Sequence, residues 1–251
     1  AVLKMLVKTI FTTSRLSLSV TADEEGLNQV EKAAPELMRA LPAEVSGEIP
    51  APVWTLPKVQ ENEGFKTAGK VQYVARAGSF RDKNIPYDGS YKVVKTILSY
   101  DYLWNEVRVK GGAYGVMCAF LTEGIGYMMS YRDPNLEETN EVYNKIPEYL
   151  ENFDADERDM MKYIIGTISD MDTPLTPRAK GERSYLAYKT KTTKEQKQKE
   201  RDEVLAADKE KIREAAAMIR AILSDGYICA LGGEEKMKQA EELFETVRVL
   251  K

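Results

Sequence analysis

Tyr114-Gly-Val-Met-Cys-Ala-Phe-Leu-Thr-Glu-Gly-Ile-Gly-Tyr-Met-Met-Ser-Tyr-Arg132 holds two apolar runs, Tyr114 to Leu121 and Ile125 to Arg132, separated by Thr122-Glu123-Gly124. Both are rich in aromatic and β-branched residues, and a short glycine-containing connection between such runs predicts a β-hairpin. Just upstream, Ser90 to Asn105 carries Val93, Ile97, Tyr100 and Trp104 at helical spacing, which predicts a helix with these four on its buried stripe. Gly111-Gly112 separates helix from hairpin, and adjacent glycines permit positive φ and close backbone approach.

Working outward, Lys70 to Ala77 is a strand ending at Gly78. Asp133-Pro134 opens a helix whose buried positions are Leu136, Tyr143, Ile146, Leu150 and Phe153, with a kink at Pro147. A helix from about Asp156 to Asp170 ends before Pro174 and Pro177, and mostly helical sequence continues to Leu223. The dense Lys/Glu run from Lys189 to Arg213 reads as a solvated helix face laced with ion pairs. A last strand and helix close the chain. Strands at both ends of a helical middle predict an α+β domain, with helices on one face of an antiparallel or mixed sheet.

Ser17-Leu-Ser-Val20-Thr-Ala-Asp23-Glu24-Glu25 aligns without a gap on Tyr227-Ile-Cys-Ala230-Leu-Gly-Gly233-Glu234-Glu235. Each reads as strand, tight turn and helix, with an acidic pair in the first helical turn where carboxylates complement the helix dipole. Residues 1–41 are therefore expected to be the strand-helix tail of a preceding, similar domain, and 67–251 a complete α+β domain. Between them, 42–66 gathers Pro42, Gly47, Pro50, Pro52, Pro57 and Gly64 around Trp54, the composition of an extended connector. Gly232-Gly233-Glu234-Glu235 reads as a structural turn, since its carboxylates would repel an anion.

The 251 residues, 43% hydrophobic and 30% charged with net charge -4, describe an ordinary folded chain without the basic footprint of a nucleic-acid partner. No apolar run reaches the roughly 18 residues that suggest a membrane span. Cys118 and Cys229 lie in apolar runs and are expected to be inert core thiols. There is no histidine. Imidazole is the usual ligand of catalytic zinc and the usual general base near neutral pH, so no metal site is expected in this chain.

Arg108 and Tyr114 are suitable types for handling a peptide bond: a guanidinium offers several donors to carbonyls, and a phenol can donate to a tetrahedral oxyanion. On an extended strand six residues would separate them by roughly 20 Å, so Gly111-Gly112 must bend the chain. The same pattern also suits a surface arginine and an ordinary strand tyrosine around a β-bulge.

Trp104-Asn-Glu-Val-Arg-Val-Lys-Gly-Gly-Ala-Tyr-Gly115, then Ser130-Tyr-Arg-Asp-Pro-Asn135, then Ile168-Ser-Asp-Met-Asp-Thr-Pro-Leu175, together resemble the presequence protease branch of the pitrilysin and insulinase superfamily in order and distance. Ala179-Lys-Gly-Glu-Arg183 and the terminal Ala230-Leu-Gly-Gly-Glu-Glu235 agree. The resemblance implies a clamshell zinc metallopeptidase of four α+β domains, this chain being the end of the third and the whole of the fourth. It implies that the zinc sits in the other, N-terminal half of the polypeptide, on an H-x-x-E-H helix absent here, so this chain has no cofactor of its own. It implies Tyr114 as oxyanion stabiliser, Arg108 as substrate-positioning residue and Gly111, Gly112 and Ala113 as substrate-binding wall. The expected partners are a peptide substrate and that N-terminal half; the expected compartment is the cytoplasm, or else an organelle matrix. The alternative is a catalytically inactive structural or interaction subunit of the same superfamily.

Overall fold

The computed structural model describes residues 2–41, 55 and 62–250. Most of the connector expected over 42–66, including Trp54, lies outside the described residues. The chain divides into two compact units, 58–172 with 194–251, and 1–57 with 173–193.

The larger unit is built on one six-stranded sheet: β1 (Glu63–Thr67), β2 (Tyr73–Ser79), β3 (Gly115–Phe120), β4 (Ile125–Tyr131), β5 (Tyr227–Gly233) and β6 (Thr246–Val249), in the order β3-β4-β2-β5-β1-β6. The first three pairings are antiparallel and the last two, β5 with β1 and β1 with β6, are parallel, so the sheet is mixed. The hairpin forms as expected, turning at Gly124 with φ +87°. Glu63–Lys66, read from sequence as the end of the connector, is strand β1. Its short, charged sequence has no strand periodicity of its own, and its pairing partners lie more than 160 residues away.

The other elements, in chain order, are α1 (Val2–Ile10), α2 (Glu24–Ala40), α3 (Ser90–Ile97), α4 (Glu137–Asn144), α5 (Ile146–Glu151), α6 (Glu157–Met171), α7 (Pro177–Lys189), α8 (Lys194–Leu205), α9 (Lys209–Glu214), α10 (Ala216–Ser224) and α11 (Glu234–Gln239). In the larger unit, helices cover one face of the sheet. Val74, Arg76, Cys118, Phe120, Met128, Ser130, Ile228 and Ala230 point into that layer, against Val93, Ile97, Leu98, Tyr143, Ile146, Leu150, Ile219 and Ile222. Leu136, Tyr143, Ile146, Leu150 and Phe153 are all buried as the sequence predicted, and Pro147 sits where α4 breaks into α5. Arg76, buried here with its pKa lowered mainly by desolvation, donates to Asn140 at 2.8 Å, Asn144 at 3.2 Å and the Leu223 carbonyl at 3.1 Å. In the lysine- and glutamate-rich run only Val204 and Ile212, among its large apolar residues, turn inward, while Leu205 stays exposed.

Two readings of side-chain direction are corrected. The helix starting at Ser90 continues past Asn105 through two π-helical segments, Leu98–Tyr102 and Trp104–Lys110. Bonds spanning five residues instead of four rotate the buried stripe, so Leu98, Leu103 and Val107 face the core. Tyr100 and Trp104, expected inside, are 68% and 40% exposed. Cys229, expected in the core, is exposed on the opposite face of β5, whereas Cys118 is buried as expected.

In the smaller unit, Asp23 caps α2 by accepting from Gly26 N–H at 2.9 Å. Glu24 and Glu234 are the first residues of α2 and α11, so the aligned repeat places both helix starts in the same column. Its strand half matches less well. Ser17 to Val20 is outside regular strand structure and lies beside Gly181, Ser184, Tyr185 and Tyr188 of α7. Neither α1, α2 nor α7 carries a buried residue.

Candidate functional site

The Trp104–Gly115 motif spans the end of the π-helical segment and the entry to edge strand β3. Arg108 lies in the last helical turn, upstream of the glycine bend that the sequence reading required. Three consecutive amides close the helix: Gly111 N–H donates to the Glu106 carbonyl at 3.0 Å, Gly112 to Arg108 at 3.0 Å and Ala113 to Val107 at 3.1 Å. A Cβ on Gly111 would stand 2.5 Å from the Val107 carbonyl oxygen, and Gly112 has φ +80°. Both glycines are thus required by the helix ending. The bend is there, but the N–H groups of Gly111, Gly112 and Ala113 are engaged in the cap, and Ala113 faces the core. The segment can offer a ligand close approach and the carbonyl of exposed Gly112, while Ala113 is buried behind it.

Beyond the turn, Tyr114 N–H donates to the Arg132 carbonyl at 3.3 Å, and the Tyr114 ring is 66% exposed. It packs edge-on against Tyr131 at 5.6 Å between centroids, and Tyr131 packs in the same way against Tyr73 at 5.4 Å. These rings begin the sheet face that the helices leave open, where Met117, Ile125, Tyr131 and Cys229 are also exposed. Arg108 lies over the Trp104 ring, 4.0 Å from guanidinium carbon to centroid, and is exposed. The structure therefore links Arg108 and Tyr114 through the glycine turn, each resting on a different aromatic partner. Lys110 is paired with Glu106 at 2.6 Å.

Sequence reasoning used Ser130 to Asn135 as a helix opening and a mark of resemblance but put none of it in the site; in the structure this loop lies against the glycine turn. Asn135 Nδ2 donates to the Gly111 carbonyl at 2.7 Å and so ties this loop to the glycine turn. Asp133 is buried, accepts from Asn135 N–H at 2.9 Å and from the Thr139 hydroxyl at 2.8 Å, and exchanges two backbone bonds with Gln72. Burial pushes its carboxyl above the ordinary range, opposed by those donors. Gln72 Oε1 accepts from Gly233 N–H at 2.8 Å, so the Gly232-Gly233 turn is structural as expected. Asp-Pro-Asn carries a local turn signal, but its contact with Gly111 spans 24 residues and has no sequence signature.

Zinc, which the resemblance implies for the larger enzyme, finds no donor set here. The chain has no imidazole, and no group of three or more Asp, Glu or Cys side chains among the described residues is arranged to hold a metal ion.

The model of the PreP C-terminal domain matches residues 62–232, which include the whole glycine turn, the 130–135 loop, strands β1 to β4 and all but the last residue of β5. The chain belongs to the PreP C-terminal domain family. As a PreP C-terminal domain it is 48% identical over 189 residues to Protein HypA of Clostridium perfringens, covering 75% of this chain and 19% of that protein. It is 34% identical over 224 residues to Presequence protease 1, chloroplastic/mitochondrial, of Arabidopsis thaliana, covering 89% of this chain and 21% of the relative. The chain thus spans about a fifth of the length of these relatives. Among solved structures, the fold is similar to a conserved protein from Enterococcus faecalis (TM-score 0.56, 16% identity, 85% of this chain and 50% of that one). It is also similar to a peptidase M16 inactive domain from Pseudomonas fluorescens (TM-score 0.52, 19% identity, 87% and 52%). This PreP C-terminal domain therefore shares with both structures its α+β fold, a mixed sheet with helices on one face.

Proposed function

We propose that this chain is the non-catalytic, peptide-holding part of a peptidase, and that zinc and the groups that activate water belong to another part of the same polypeptide. The observation that carries the reading is the glycine turn: an exposed phenol and an exposed guanidinium are held on either side of it, with no metal donor set among the described residues. In this reading Tyr114 donates its hydroxyl hydrogen to the oxyanion that develops on the cleaved amide, and Arg108 donates to a neighbouring peptide carbonyl. Gly111 and Gly112 form the wall that lets the peptide backbone approach, with Ala113 buried behind them as its support. The partner half of the polypeptide would include the rest of the domain whose tail is residues 1–41; the absence of buried side chains in α1 and α2, with Leu3, Leu6, Val7 and Ile10 exposed, supports that reading. The organelle names of several relatives favour an organelle matrix over the cytoplasm, although the C. perfringens relative is bacterial.

A second reading, a purely structural or interaction domain, is favoured by the likeness to the P. fluorescens inactive domain and by the missing donor set. Tyr114→Phe in the intact peptidase separates the two. Removal of one oxyanion donor lowers kcat about 10²- to 10³-fold with KM little changed. With zinc content and circular dichroism unchanged, a kcat within about threefold of the parent would reject the oxyanion role and leave the structural reading.

A further inference from the structure

Four surface arginines of the larger unit are matched to acids: Arg201 with Asp172, Arg213 with Asp154, Arg220 with Glu151 and Arg248 with Glu63. Arg132 is not, and of the arginines without an acid it is the one that stands over Tyr114. No carboxylate among the described residues lies within 4.0 Å of its nitrogens; its guanidinium stands over the Tyr114 ring, 5.8 Å from the centroid. Stacking on a ring leaves the in-plane N–H donors of a guanidinium directed outward.

Its backbone is also held unusually. Arg132 has φ +50°, the left-handed region that side-chain-bearing residues seldom occupy. The flanking structure enforces this conformation. On one side its carbonyl accepts from Tyr114 N–H at 3.3 Å; on the other, Asp133 is pinned to Gln72 by backbone bonds of 2.7 and 2.8 Å, and to Asn135 and Thr139 by its carboxylate. A strained residue whose surroundings over-determine it, aimed beside a candidate site, is a reason to look for a ligand.

We propose that Arg132 binds a carboxylate of the bound peptide, so that the site prefers peptides carrying a carboxylate close to the peptide bond that Tyr114 engages. This rests on the peptide-holding function proposed above. A planar fork of donors matches a carboxylate better than a single carbonyl, because both oxygens accept at once. This chain carries net charge -4, so its own long-range field disfavours an acidic peptide. A preference for one must come from a local cation. The carboxylate has two sources, the peptide C-terminus and an Asp or Glu side chain.

The test is equilibrium binding of three peptides to the intact protein under non-cleaving conditions, each with the same uncharged N-terminal fluorophore. One is neutral with an amidated C-terminus, one differs by a free C-terminal carboxylate, and one differs by a single internal Glu. The expected result is tighter binding of at least one carboxylate peptide by roughly 3- to 10-fold, between the worth of an exposed ion pair and that of a shielded charge-assisted bond, declining as salt is added. The peptide that gains identifies the source. Arg132→Gly should abolish the preference, and because glycine accepts φ +50° without strain its thermal midpoint should not fall. Arg132→Lys keeps the charge without the fork and should retain only part of the preference, giving a second reading should the glycine variant fold poorly. Equal affinities for all three peptides, or a preference that survives in Arg132→Gly, would overturn the role of Arg132 while leaving the peptide-holding function standing. Failure to bind any of the peptides would overturn both.

Discussion

Asn135→Ala removes the cross-loop bond that locates the glycine turn between Arg108 and Tyr114. The Nδ2–O distance to Gly111 is 2.7 Å, and both residues are half-buried, so water can reach the released carbonyl. A neutral hydrogen bond contributes about 0.5–1.5 kcal/mol net, and partial solvation places this one near 1 kcal/mol. In a domain of this size that lowers Tm by about 2–4 °C. The Asn135 N–H bond to Asp133 Oδ1 uses the main-chain donor and survives, so the loss is confined to the tie between the two loops. Asn135→Asp is the sharper perturbation: it keeps the size but sets a carboxylate oxygen against the Gly111 carbonyl oxygen, and at neutral pH it should destabilise at least as much as alanine. Urea unfolding of the parent and both variants reads the stability. Peptide affinity of the same proteins reads the position of the turn and should fall in both. Losses below about 0.3 kcal/mol for Ala and Asp alike, with peptide affinity unchanged, would show that the tie positions nothing.

The two thiols should separate by reactivity: in the folded protein iodoacetamide labels Cys229 alone, and slowly, because burial and the neighbouring Glu63 push its thiol up. Cys118, buried and pushed up to about 11, should label only on unfolding; mass spectrometry showing two adducts on the native protein would contradict the core placement. Burial raises the Asp133 carboxyl above its unfolded value, so the folded state holds that proton more tightly and gains stability as pH falls from the raised value through the ordinary carboxylate range. Asp133→Asn should flatten that gain, seen as a parent-minus-variant difference in unfolding free energy that grows toward acid; a flat or opposite trend would refute the burial argument.

Much of this protein is written locally. The hairpin at Gly124, the Asp23 and Asp156 caps, the Pro147 break and the inward positions of α4 and α5 follow from turn chemistry and helical spacing, which act over a few residues. The absence of histidine is likewise a property of composition, and it removes the usual zinc ligand whatever the fold. What the sequence could not decide depends on partners far along the chain or on helix register. Strand β1 exists because β5 and β6 pair with it, across more than 160 residues. The exposure of Tyr100 and Trp104 comes from five-residue hydrogen bonds that pattern reading takes for four. Cys229 is exposed because helices cover only one face of the sheet, and an apolar strand reads the same whether one face is covered or two. Arg132 became visible only when the register of β4 against β3 set its guanidinium over Tyr114 and the bonds to Gln72 and Gly111 held its loop there, since no spacing rule connects residues that meet only through a folded sheet.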